Sequence, residues 1–140
     1  MDAKVSWKGR LSFEGTSESG FVLPLGTDLS VGGDDDGFRP MELIALCLAG
    51  CTAMDVISIL QKKRQDVTSF ETQIFTKRSP EHPKVYTHVK IVYLIEGRQV
   101  DPIAVERAIE LSATKYCPAQ AMLEKAVEIE SSYVIKEIVS

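Results

Sequence analysis

Pro40–Arg64 reads PMELIALCLAGCTAMDVISILQKKR, the longest apolar, helix-compatible run in the chain. Pro40 suits a first helical position, where its missing N–H is not needed. Glu42 favours the positive N-terminal end of a helix, and Lys62, Lys63 and Arg64 favour the negative C-terminal end. Between Met41 and Leu60 there is little polar face, so other structure must wrap this helix nearly all round. About 24 helical residues span ~36 Å, more than a small domain easily covers. A second subunit is therefore expected to help bury it. The run approaches the ~20 residues needed to cross a bilayer. Glu42 and Asp55 argue against that, since each charge at membrane depth costs roughly 2.5–3.5 kcal/mol. A buried central helix is the better reading.

The rest of the chain is expected to build sheets around this helix. With 140 residues it is the size of a single domain, residues 1–140, large enough for a real core. The net charge of −4 argues against nucleic acid or an anionic membrane as partner. The N-terminal MDAKVSWKGRLSFEG is charged and alternating and lacks the apolar core of a secretory signal. A cytoplasmic location with reduced thiols is the expectation. Val5, Trp7, Leu11 and Phe13 alternate with polar residues and predict one strand over Ala3–Glu14. Gly15–Gly20 is then a turn and Phe21–Leu25 a second strand. Asp28–Gly37, DLSVGGDDDG, is an acidic loop without the spaced oxygen ligands of a calcium site. Past the helix, Val67–Arg78 and Lys84–Glu96 predict a long hairpin that Gly97 ends. Asp101-Pro102 is an N-cap followed by Pro at the first helical position, opening a helix over Ile103–Lys115. Pro118–Ala126 is a further helix and Glu128–Ile138 a last strand. The order is ββ–α–ββ–αα–β, an α+β domain.

The chemistry-bearing residues are sulfurs. Three cysteines, Cys47, Cys51 and Cys117, are an odd number, so a closed set of intrachain disulfides is impossible. Cys47 and Cys51 lie four apart on one helix face, where a regular helix strains a disulfide between them. Each alone reads as a buried small hydrophobe. Asp55 continues that face and needs a hydrogen-bond donor or a subunit boundary. Cys117 precedes Pro118, which disfavours helical geometry at Cys117 and makes it the N-cap of the next helix. Free N–H groups there favour a thiolate, so local physics makes Cys117 the better nucleophile. His82 and His88 have no metal-ligand spacing to a cysteine. No metal or cofactor is expected.

Arg39–Asp55, RPMELIALCLAGCTAMD, followed by Lys115–Leu123, KYCPAQAML, resembles the OsmC/Ohr family of osmotically induced proteins and organic hydroperoxide reductases. The likeness covers essentially the whole chain. It implies an intertwined homodimer with the long helices buried between wrapped sheets and the active sites at the subunit interface. It also implies that Cys51 is the peroxide-attacking thiolate and forms a sulfenic acid. Cys117 would then be the resolving thiol that closes a Cys51–Cys117 disulfide. An external dithiol, in the family often a lipoylated protein, would reduce it. The family's peroxidases carry a glutamate directly after the proline, paired with an arginine of the N-terminal sheet region. Here Met41 holds that position and Glu42 follows it, a rotation of ~100° along a helix. Arg10 and Arg39 are the candidate arginines. The Met41 departure keeps open a different class of function, a non-enzymatic protein binding a small apolar ligand in the interface pocket. A structural dimer with inert cysteines is a third reading.

Overall fold

A computed structural model of the chain describes residues 2–139. The order of elements is βββ–α–ββ–αα–β. The α+β class is as expected, with one more strand near the N-terminus. The chain divides into two compact units, Met1–Ala45 and Leu46–Ser140.

In the first unit, β1 (Ala3–Gly9), β2 (Ser12–Ser17) and β3 (Val22–Leu25) form an antiparallel sheet in that order. The single strand expected over Ala3–Glu14 is instead folded back on itself at Gly9–Leu11. Gly9 has φ +120° and Arg10 φ +50°. Glycine adopts such a conformation freely, and Arg10 is held in it by Trp7 Nε1 donating to its carbonyl at 2.8 Å. Trp7 pairs with Phe13 across the hairpin, so apolar residues keep alternating through the turn and the periodicity does not mark it. The acidic loop contains a single 3-10 turn, Leu29–Val31, capped by Asp28. Its aspartates are tied down: Asp34 pairs with Arg10, Asp35 with Arg39, and Asp36 accepts from Ser12 Oγ.

The helix α1 (Pro40–Lys62) begins in the first unit and continues into the second, with the expected start and an end two residues early. It stops where Arg64 takes φ +56° and Gln65 N–H closes onto the Leu60 carbonyl at 3.0 Å. β4 (Asp66–Arg78) and β5 (Tyr86–Arg98) are antiparallel. Gly97 lies inside β5 rather than after it, where the Asp66 carbonyl of β4 leaves no room for a Cβ. β6 (Glu128–Glu137) adds to β5 in parallel, Tyr93 facing Tyr133. A parallel neighbour needs a crossover. It is supplied by α2 (Pro102–Leu111), a π-helical turn (Ser112–Tyr116) and α3 (Pro118–Leu123).

The core of the second unit joins three stripes. Leu48, Thr52, Val56 and Leu60 recur every fourth residue on α1. Val89, Ile91, Tyr93 and Ile95 alternate on β5, and Ala104, Val105 and Ala108 come from α2. Within one chain, α1 is buried on that stripe alone. Leu46, Cys47 and Met54 are exposed, and 22% of its most apolar window is buried. By length and composition α1 could cross a membrane, but its buried stripe is that of a core helix.

Candidate functional site

The two sulfurs that the sequence left apart meet in the second unit. α1 presents Cys51 half-buried, next to the fully buried Thr52. Cys117 has the extended backbone that a following proline requires, φ −81° and ψ 104°. It is the N-cap of α3, its Sγ accepting from the Gln120 N–H at 3.3 Å. All three cysteines are free thiols. Cys117 is 3% exposed, and its thiol interacts with that of Cys51.

The charge state of Cys117 is not what its local position suggests. Burial raises its pKa most, the hydrogen bond to Cys51 raises it further, and the capping N–H lowers it. The negative charges of Cys51 and Asp55 add to the rise, and the thiol is pushed up to about 11. One N–H cannot offset taking the whole side chain out of water. The expectation that Cys117 is the better thiolate is therefore overturned. At neutral pH Cys117 keeps its proton. Cys47, read as a buried hydrophobe, is exposed.

Beside the thiols runs a chain of hydroxyls. Thr52 Oγ1 lies 2.6 Å from Tyr93 Oη and 2.8 Å from Ser112 Oγ. Ser112 Oγ donates to Asp55 Oδ2 at 2.9 Å. An ionised carboxylate only accepts, so it sets the sense of the whole chain. Tyr93 donates to Thr52, Thr52 to Ser112, and Ser112 to Asp55. This supplies the donor that Asp55 was expected to need. Burial pushes the Tyr93 phenol up to about 12, which keeps it a donor. Asp55 also lines a hollow of about 230 Å³ with Ser58, Ile59, Lys62, Leu111 and Tyr116. A larger hollow of about 590 Å³, lined by Arg64, Asp66, Arg98 and Glu137, holds neither cysteine.

The family model of OsmC-like proteins matches residues 33–132. The chain belongs to the OsmC-like family. It is 42% identical to Protein YhfA of Escherichia coli K12 over 135 residues, 96% of this chain and 98% of that one. A hypothetical protein from Aquifex aeolicus shares the fold with a TM-score of 0.86 and 28% identity, covering 99% of this chain and 97% of that one. The organic hydroperoxide resistance protein OhrB of Bacillus subtilis has the same fold at a TM-score of 0.60 and 15% identity, with 96% of this chain and 98% of that one covered.

The three other expected site residues of this OsmC-like protein have their partners in the first unit. The Arg39 guanidinium bonds to Asp35 and to the Gly37 carbonyl, and its Nε lies 3.8 Å from Glu42 Oε1. The bond to Asp35 raises the Arg39 pKa. Glu42 Oε1 also accepts from the Arg39 N–H at 3.1 Å. That is the N3 half of a capping box, a local structural role for Glu42. Arg10 donates to the Gly32 carbonyl at 2.8 Å and pairs with Asp34 at 3.0 Å. His88 sits between Glu128 and Glu130, 3.6 Å from each.

Thr52, Tyr93 and Ser112 were not singled out from the sequence. A signal for them exists. Each is the polar member of an otherwise apolar stripe: Thr52 among Leu48, Val56 and Leu60; Tyr93 among Val89, Ile91 and Ile95; Ser112 one turn past Ala104 and Ala108. Buried hydroxyls require partners, and three lone hydroxyls on three packed stripes satisfy one another.

Proposed function

We propose that this OsmC-like protein is a thiol-dependent peroxidase that reduces organic hydroperoxides through Cys51 and Cys117. The meeting of a half-buried Cys51 with a buried, protonated Cys117 carries this reading. Cys51 as thiolate attacks the terminal peroxide oxygen. The O–O bond breaks, Cys51 becomes a sulfenic acid, and the alkoxide takes up a proton to leave as the alcohol. The Cys117 sulfur then attacks the sulfenic sulfur. Its proton goes to the departing hydroxyl, and a disulfide and water result. A thiol that stays protonated until this step suits a resolving cysteine. An external dithiol, such as a lipoylated protein, returns the pair to the reduced state by exchange. Solved relatives of the same fold described as organic hydroperoxide resistance proteins support the substrate class.

The working form is a homodimer, soluble in the cytoplasm, in which each 140-residue chain acts as one domain. The apolar side chains that α1 leaves uncovered, Leu46 and Met54 among them, support a second copy over that helix. Arg39, already beside Glu42, is the stronger candidate for the family's arginine, and Arg10 the weaker.

The test is to mix the protein with cumene hydroperoxide and follow free thiols and intact mass. Two thiols and two hydrogens should be lost, and Cys51→Ser should abolish the change. Unchanged thiols at millimolar peroxide refute the reading. A second reading is binding of a small apolar ligand without catalysis. A hollow of about 370 Å³ in the first unit, lined by Val5, Phe21, Leu23, Leu25 and Leu43 among others, favours it. Saturable binding of an apolar dye that Cys51→Ser leaves intact, with inert thiols, would establish it.

A further inference from the structure

We propose that the Ser112 hydroxyl is a positioning group that straps the Cys117 turn to the Cys51 helix and so presents the two thiols for disulfide closure. This rests on the reading of Cys51 and Cys117 as a redox pair. The strap is short and dry. Cys51 is followed directly by Thr52, whose hydroxyl lies 2.8 Å from Ser112 Oγ. One helical turn beyond Cys51, Asp55 Oδ2 accepts a hydrogen bond from Ser112 Oγ at 2.9 Å. At its other end, the Ser112 carbonyl accepts the Cys117 N–H at 2.9 Å. One buried residue thus grips α1 through its side chain and the Cys117 backbone through its main chain.

The position of Ser112 explains why a strap is needed. It opens the π-helical turn, Ser112–Tyr116, that delivers Cys117. The Cys117 N–H reaches back five residues to Ser112, the widened spacing that marks a π turn. The relation of that turn to α1 depends on what crosses between them. Thr52 and Ser112 are 0% exposed, so bulk water does not take over the bond when the hydroxyl is removed. Disulfide closure tolerates little error in the approach of the two sulfurs, and a drift of the turn lowers their effective concentration.

The test uses diamide, which closes vicinal thiols without any peroxide. The two thiols lose two protons and two electrons, the S–S bond forms, and the diazene N=N is reduced to the hydrazine. Ser112→Ala should slow Cys51–Cys117 closure at least tenfold. Its equilibrium with a dithiothreitol buffer should shift tenfold towards the dithiol, about 30 mV for a two-electron couple. Asp55→Asn retains an accepting oxygen and should close within threefold of the unaltered protein. Closure by folded Ser112→Ala within twofold of the unaltered rate overturns the strap. So does an Asp55→Asn loss as large as that of Ser112→Ala, because the charge rather than the bond would then govern closure. If circular dichroism shows Ser112→Ala unfolded, Thr52→Val takes its place under the same thresholds. Normal diamide closure with no response to cumene hydroperoxide overturns the peroxidase reading and leaves the strap standing.

Discussion

The sense of the hydroxyl chain can be tested by a double-mutant cycle on Thr52 and Tyr93. With Asp55 accepting from Ser112, Tyr93 must donate to Thr52. Thr52→Val keeps the volume but strands the hydroxyl of Tyr93, a residue 1% exposed. An orphaned buried donor costs about 1–3 kcal/mol, and the lost bond to Ser112 adds about 1 kcal/mol. The single mutant should lose about 3 kcal/mol. Tyr93→Phe removes the donor itself, and Thr52 keeps its bond to Ser112, so about 1 kcal/mol is expected. In the double mutant both partners of the Tyr93–Thr52 bond are gone and nothing is stranded. Only the Thr52–Ser112 bond remains to be counted, about 1–1.5 kcal/mol. The double mutant should therefore be more stable than Thr52→Val, with a coupling of about 2 kcal/mol or more. Urea unfolding at fixed protein concentration measures all four corners. Additivity within about 0.5 kcal/mol refutes the chain as drawn.

In alkaline solution, Cys117 and Tyr93 both hold their protons more tightly when folded, with values of about 11 and about 12 against 9.0 and 10.0. The unfolded chain releases these protons first, so the stability they contribute is whole below pH 9 and is lost as pH rises through 9–12. Urea titrations across that range should show it, and in Cys117→Ala the loss should begin nearer pH 10. Cys117→Ser should stop the reaction at a single oxidised cysteine, with one oxygen added on Cys51 by intact mass and trapped by dimedone; an intramolecular disulfide in that variant would mean that Cys47 resolves instead. Glu42→Ala should cost about 1 kcal/mol in thermal unfolding through loss of the cap on the Arg39 N–H, and Glu42→Gln should recover most of it. Gln120→Leu should be neutral or stabilising, because the Gln120 Oε1 is buried without a hydrogen-bond partner and leaving such an atom unpaired costs about 1–3 kcal/mol.

Local features were legible in the sequence because their physics is local. Pro40, Glu42 and the basic end fixed the limits of α1 to within two residues. Asp101-Pro102 and Cys117-Pro118 each marked a helix start, since proline dictates both its own backbone and that of its predecessor. The apolar excess of α1 announced a face that one chain leaves uncovered. Other features follow from contacts between distant residues. The hairpin at Gly9–Leu11 hid inside an unbroken alternation because Trp7 and Phe13 face each other. The helix expected through Lys115 gave way to a π turn at Ser112, where the Ser112 side chain is held by α1.

Cys117 shows the division most clearly. Its N-cap position, set by the next residue, favours a thiolate. Its burial against α1 and Cys51, set by the tertiary structure, favours the thiol. Desolvation acts on the whole side chain and the cap is a single hydrogen bond, so burial wins. The sequence alone determined where the two cysteines stand on their helices. Only the packing of α1 against the Cys117 turn decided that they meet, and that Cys117 keeps its proton.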